Sequence, residues 1–227
     1  PAHAAITAAL TRGARVVTAN KAVVTLGAPQ PLWSSAITEK RLRFSAAVGG
    51  AAPMLEAVAR AVPPPPERLQ RLEGILNGTC NFVLALLEAG KSFDQAVRAA
   101  QHAGFAEADP SRDLDGRDAA DKLSLLVRAA WGGIGVHLRP ADIVRSPLTP
   151  GAIAALHDSA RDGEVLRQVS TAVITPRGVE GRVGPALVPV DSPLGRTRAE
   201  WNTLLITHAS GAITTVRGRG AGRHATT

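Results

Sequence analysis

Tyrosine is absent from this 227-residue chain, and only four phenylalanines and three tryptophans occur. Binders of single-stranded nucleic acid stack bases on several aromatic faces, so that class is disfavoured. The single cysteine, Cys80, cannot form an internal disulfide, which points to a reducing compartment and a cytoplasmic location. With no basic neighbour in sequence to activate it, Cys80 reads as a small packed hydrophobe at a helix start. No stretch approaches the ~18 uninterrupted apolar residues of a membrane-spanning helix, so no membrane partner is expected. Lysine is scarce as well: four of the 26 basic residues, at positions 21, 40, 91 and 122. The formal charge of +7 therefore comes from arginines scattered along the chain, without the stripe of a duplex binder. Finally, no Gly-x-Gly-x-x-Gly follows a strand in the amino-terminal region, which excludes a pyrophosphate cradle there.

What is present is a globular composition, 45% hydrophobic and 20% charged, enough for one substantial core or one and a half. The pattern is mixed α and β. Ala4–Arg12 reads as a helix closed by Gly13, followed by a short strand at Val16–Val17. Helices are expected over Pro31–Lys40 and Pro53–Val62, a strand over Leu42–Ala47, and a stiff connector at Pro63–Pro66. Alternation over Leu69–Leu76 predicts a half-exposed strand. Thr79–Glu88 and Phe93–Ala103 read as helices, the second opened by a Ser92/Gln95 capping box. Beyond a Gly132-Gly133 stop, Gly151–Ser170 reads as helical and Ala172–Val190 as one or two strands. Thr203–Thr207 should pair with Ile213–Val216 across a turn at Ser210-Gly211.

The chemistry concentrates between Gly104 and Lys122. Pro110 biases Asp109 toward extended backbone, so Glu107 is presented on a loop rather than packed. Asp115 reads as an N-cap with Asp118 as its capping-box partner, starting a helix near Gly116. Asp118 and Lys122, four residues apart, then share a face, while Leu123, Leu126 and Val127 turn to a core. From spacing alone, an ordinary surface pair worth roughly 0.2–0.5 kcal/mol explains Asp118 and Lys122 better than catalysis does.

Four segments change that balance. Val16–Ala22 (with Asn20-Lys21-Ala22), Ala47–Pro53 (with Val48-Gly49-Gly50), Gly74–Phe82 (with Asn77-Gly78-Thr79) and Glu107–Leu123 closely resemble homoserine dehydrogenases in order and spacing. The resemblance runs from about residue 12 to the end and weakens between Gly132 and Pro185. It implies an α/β (α+β) fold: the remnant of a Rossmann-type nucleotide-binding domain (1–27), a mixed-sheet substrate-binding and dimerisation domain (28–205), and a segment returning toward the nucleotide-binding domain (206–227). The implied reaction is NAD(P)-dependent interconversion of L-aspartate 4-semialdehyde and L-homoserine, a step of threonine, methionine and isoleucine biosynthesis, carried out by a homodimer.

By the same resemblance Lys122 matches the proton donor and base, with Asp118 beside it in the catalytic pair. Gly104, Glu107, Asp113 and Asp118 match substrate-binding positions; a plain turn-forming aspartate explains Asp113 equally well. Asn20 and Lys21 match positions beside the nicotinamide, and Gly220 and Gly222 match the late glycine-rich turn that approaches the cofactor. Val48, Gly50 and Ala52 match carbonyl ligands of a monovalent cation, usually sodium. Ser45 stands where that site's acidic ligand is expected, which weakens it, and a tight strand-to-helix turn is the better reading of the glycines. With the dinucleotide turn missing, the chain is expected to be a truncated portion, inactive alone. A non-catalytic binding or assembly module of the same fold is the alternative, and a nucleic-acid-binding module is remote.

Overall fold

The computed structural model describes residues 1–27, 30–62 and 68–220. The first part is a small parallel ribbon with helices. α1 (Ala2–Thr11) leads into β1 (Val16–Val17), then α2 (Lys21–Gly27) and α3 (Pro31–Thr38). β2 (Leu42–Arg43) returns to pair in parallel with β1, Val16 opposite Leu42. Pro31 is preset for the first helical position of α3, and Trp33, fully buried, ties α3 to α1 through an indole N–H to the Thr7 hydroxyl at 3.0 Å. Only Leu42 and Arg43 of the expected Leu42–Ala47 strand are extended. The rest winds into a 3₁₀ turn over Ser45–Ala47 that delivers the chain into the Val48–Pro53 turn.

Gly49 and Gly50 adopt positive φ, 85° and 59°, in that turn. Ala52 N–H closes on Gly49 O and Ala51 N–H reaches Arg219 O, both at 2.9 Å. A Cβ on Gly50 would stand 2.8 Å from Gly220 O, so the turn and the late glycine segment are in direct backbone contact. α4 (Met54–Ala61) follows, burying Met54, Ala57 and Val58.

The larger part is a six-stranded mixed sheet. β3 (Leu69–Ile75), β4 (Val144–Arg145), β5 (Glu164–Thr175), β6 (Gly178–Pro189), β7 (Trp201–His208) and β8 (Ile213–Arg219) stand in the order β4-β6-β5-β3-β7-β8. β5–β6 and β7–β8 are antiparallel hairpins, while the edge strand β4 joins β6 in parallel. The expected pairing of Thr203–Thr207 with Ile213–Val216 is realised, with Gly211 at φ 85° in the connection. The expected helix over Gly151–Ser170 is halved: α9 (Pro150–Ser159), capped by the Thr149 hydroxyl, ends there, and β5 takes residues from Glu164 onward. Val165, Val169 and Val173 are β-branched, and the long hairpin with β6, joined by β3 only over Ser170–Val173, outweighs the apolar spacing that suggests a helix.

α5 (Gly78–Glu88), α6 (Phe93–His102), α7 (Ser111–Leu114) and α8 (Arg117–Trp131) complete the chain. Both halves of the Ser92/Gln95 capping box form. α8 buries Leu123, Leu126 and Val127 against the core shared with Leu72, Ala172 and Leu204 of the sheet.

Candidate active site

Three elements meet at one point: the end of β3, the start of α5 and the first turns of α8. β3 ends at Ile75, the chain continues through Leu76, and Asn77 takes extended backbone as the N-cap of α5. Its Oδ1 accepts the Cys80 N–H at 2.8 Å. Its Nδ2 donates to Asp113 Oδ1 at 2.6 Å and to Asp118 Oδ2 at 2.9 Å. Carboxylates only accept and an N–H only donates, so these neighbours fix which end of the amide is which.

Asp118 is the hub. Lys122, one helical turn on, forms an ion pair with Asp118 Oδ2 at 2.9 Å and donates to the carbonyl of Leu76 at 2.7 Å. From 97 residues away, Lys21 donates to Asp118 Oδ1. Burial would push the Asp118 carboxyl up, but the ammonium groups of Lys122 and Lys21 outweigh it and hold the group well below the usual carboxylate range. The side chains of Asp118 and Lys122 are each 14% exposed and that of Lys21 21%, so the cluster is sheltered yet reachable. An ammonium carries three N–H donors. Among the described residues Lys122 donates one to Leu76 and forms an ion pair with Asp118, so even with a second N–H turned to Asp118 a third remains for a ligand oxygen.

Asp113 differs. Burial, and secondarily the charge of Asp118, raise its carboxyl above the ordinary value against the opposing Asn77 hydrogen bond and Lys122 charge. Cys80 is fully buried and its thiol is pushed well up by burial, with Asp113 and Asp118 acting in the same direction. It packs with Val83, Leu84 and Ala96, as its sequence context predicts, and its thiol donates to the Asp113 carbonyl at 3.2 Å.

α8 starts differently from expectation. Gly116, at φ 80°, is the N-cap and no side chain caps the helix. Asp115 closes α7 instead, accepting the Arg117 N–H at 3.0 Å and pairing with the Arg117 guanidinium at 2.6 Å. Asp118 does not fold back as a capping partner, because Lys21, Lys122 and Asn77 claim both of its oxygens.

The preceding loop is of another kind. Gly104 is exposed at φ 75° with nothing within 4 Å of a notional Cβ, and Glu107 is exposed without an ion pair among the described residues. The loop's backbone is nonetheless tied down: Gln101 donates to Glu107 O and Ala108 O, and the Thr79 hydroxyl donates to Phe105 O.

Asn20 accepts the Val23 N–H at 3.2 Å through Oδ1, so it caps α2 and sets Lys21 in that helix's first turn. Gly220 lies against Asn202, whose Nδ2 would be 2.0 Å from a Cβ at this position. Gly222 and the Pro63–Pro66 connector fall outside the described residues. Of the carbonyls matched to a cation, that of Ala52 accepts the Met54 N–H at 2.8 Å, and a serine stands at position 45. A cavity of about 730 Å³ opens between β1, β2, α3, α4 and α8, but neither Asp118 nor Lys122 lines it.

Asn77 is the residue that motif reading passed over. The helix was expected to begin at Thr79, although an asparagine between an apolar strand and Gly-Thr is itself an N-cap signal. The Lys21–Asp118 contact carried no local signal at all.

The fold and this acid–amine cluster define a member of the homoserine dehydrogenase family: that family's profile matches residues 53–227, and the chain belongs to it. Among individual relatives, the homoserine dehydrogenase of Synechocystis sp. is 32% identical over 98% of this chain and 51% of its own length. That of Pseudomonas aeruginosa is 30% identical over 99% of this chain and 51% of its own. A crystal structure of a homoserine dehydrogenase from Thiobacillus denitrificans superposes with a TM-score of 0.85 at 30% identity, covering 100% of this chain and 52% of that one. A hyperthermophilic archaeal homoserine dehydrogenase in complex with NADPH shares the fold, with a TM-score of 0.79 at 24% identity. The chain thus spans about half the length of the curated relatives it matches.

Proposed function

We propose that this chain carries the substrate-holding and proton-transferring part of a homoserine dehydrogenase, acting on L-homoserine and L-aspartate 4-semialdehyde with NAD(P). The observation behind this reading is Asp118 joined to both Lys21 and Lys122, with an N–H of Lys122 still unspent. When bound, NAD(P) supplies or accepts the hydride. Reducing an aldehyde also requires a proton at the developing alkoxide, and the third Lys122 N–H can deliver it; in reverse, the amine takes the hydroxyl proton of homoserine. Before that transfer the ammonium stabilises the oxygen's growing charge. Asp118 keeps Lys122 aimed, while Asp113 and Glu107 offer acceptors to the substrate's α-ammonium and Gly104 its backbone.

On the cofactor side, we assign the nicotinamide end to Lys21, at the start of α2, and to the Gly50–Gly220 backbone junction. No pyrophosphate turn occurs among the described residues, so the chain alone is expected to bind substrate and to show little or no hydride transfer. The proposed reaction routes no step through a cation at Val48, Gly50 and Ala52. A cytoplasmic homodimer belongs to this reading, and the sheet face around Ile75, Val169 and Val188, which keeps Val165, Ala186 and Leu205 only partly covered, offers apolar area for a second copy.

Calorimetric titration with L-homoserine tests the substrate half, and saturable binding is expected. A chimera joining this chain to the dinucleotide-binding half of a relative should oxidise L-homoserine, followed by nicotinamide absorbance. Absence of binding by the chain together with an inactive, folded chimera overturns the reading.

A further inference from the structure

Three groups engage Asp118: Lys21 donates to Oδ1, Asn77 donates to Oδ2, and Lys122 forms an ion pair with Oδ2. A carboxylate offers about four acceptor sites, so little of Asp118 remains for an incoming ammonium. Asp113 stands beside it and takes a single amide N–H, from the same Asn77 nitrogen. The two carboxylates are thus held side by side by one neutral group. Asn77 is 3% exposed and is itself locked by the Cys80 N–H, so its two N–H vectors are fixed.

We propose that Asn77 is a positioning residue that braces Asp113 against Asp118 through the two hydrogens of one amide, holding the Asp113 carboxylate in place as an acceptor for the substrate's α-ammonium. This rests on the amino-acid substrate proposed above. Two roles of Asn77 separate cleanly by chemistry. Its carbonyl oxygen caps α5, a task that serine performs equally well. Its NH₂ braces two acceptors at once, which a hydroxyl with its single donor cannot do. Like charges side by side without that bridge favour protonation of the more weakly paired member, Asp113. The groups facing Asp113 are Asp118, Lys122, Asn77, Thr79 and Cys80, whose thiol donates to the Asp113 carbonyl at 3.2 Å; Asp118 and Lys122 are untouched by the substitution.

The experiment compares the wild-type chain with Asn77→Ser and Asn77→Ala, reading melting temperature, the Asp113 carboxyl titration by carbon-detected NMR, and L-homoserine affinity by calorimetry. Asn77→Ser should melt near wild type because the cap persists, yet shift the Asp113 midpoint up by about one pH unit and weaken L-homoserine binding about tenfold or more. Asn77→Ala should show the same two changes and melt lower as well. If Asn77→Ser restores the Asp113 titration and the affinity along with the melting temperature, Asn77 is only a helix cap and the proposal fails. The titration arm needs no ligand. A wild-type chain that ignores L-homoserine, while Asn77→Ser still shifts Asp113, condemns the substrate reading and leaves the brace standing; an unshifted Asp113 condemns the brace whatever the affinity.

Discussion

The carboxylates of the α7–α8 segment and those of the loop before it belong to one continuous stretch, yet they live in opposite physical regimes. Asp113 and Asp118 are sheltered, and each is tied to Asn77 on another element. Glu107, only six residues upstream of Asp113, is exposed and reaches its surroundings through its backbone. The difference follows from what each region must balance. A sheltered carboxylate is tolerable only with donors supplied, and the end of β3 supplies them through Asn77 and, indirectly, through the Leu76 carbonyl that pins Lys122. An exposed one has water. Substitutions in the cluster should therefore act on stability, titration and chemistry together, whereas those in the loop should act on binding alone.

The largest effect that could break this contrast belongs to Lys122→Ala. In the active chimera, turnover of L-homoserine should fall by roughly 10²–10⁴-fold, the usual weight of a positioned acid–base group, with a small change in KM. Equal turnover would remove Lys122 from the chemistry and leave Asp118–Lys122 as a structural pair. Asp118→Asn comes next. At neutral pH it leaves Lys21 and Lys122 facing each other without a counter-charge, a loss of about 2 kcal/mol for a pair that is sheltered but not sealed. The sign of its pH dependence is set by the depressed carboxyl of Asp118. That contribution is complete above the ordinary carboxylate value of ~4 and is lost as pH falls below it toward the folded value. Wild type and Asp118→Asn should converge in denaturant midpoint as the solution is acidified through that window; a constant gap would mean that the lysines do not hold the charge.

Asp113→Asn sharpens the comparison with a change of opposite sign. Its carboxyl is raised by burial, so the stability associated with it is present in acid and is lost as pH rises through the folded value. The neutral amide should make the chain equally stable or up to ~1 kcal/mol more stable above that value, while L-homoserine affinity drops about tenfold. A clear destabilisation at neutral pH would show that the Asp113 charge is a structural asset.

These regimes also explain which parts were legible in the sequence. Lys122 and Asp118 could be placed on one face of a helix because both obey the helical period, and the Ser92/Gln95 box announced α6 because a cap is a local signal. The meeting of Lys21 with Asp118 could not be read from spacing. It depends on the course of the chain through β1, α2 and α4 before β3 returns, which no local pattern encodes. The departure of Gly151–Ser170 from a helix has the same origin: residues from Glu164 onward are a strand because β6 pairs with them along the whole hairpin, with β3 joining from Ser170. Asp115 was misplaced as an N-cap because Gly116, in the left-handed region, ends one helix and starts the next within a single residue.

The smallest effects belong to the loop. Glu107→Gln removes a charge with no ion pair among the described residues, so the melting curve should move by no more than ~0.5 kcal/mol. Calorimetry with L-homoserine then separates two possibilities for Glu107. A several-fold loss of affinity at unchanged stability places its carboxylate on the substrate, held there by the Gln101 clamp on its backbone. Unchanged affinity would confine ammonium recognition to Asp113 and reduce the loop to a tether between α6 and α7.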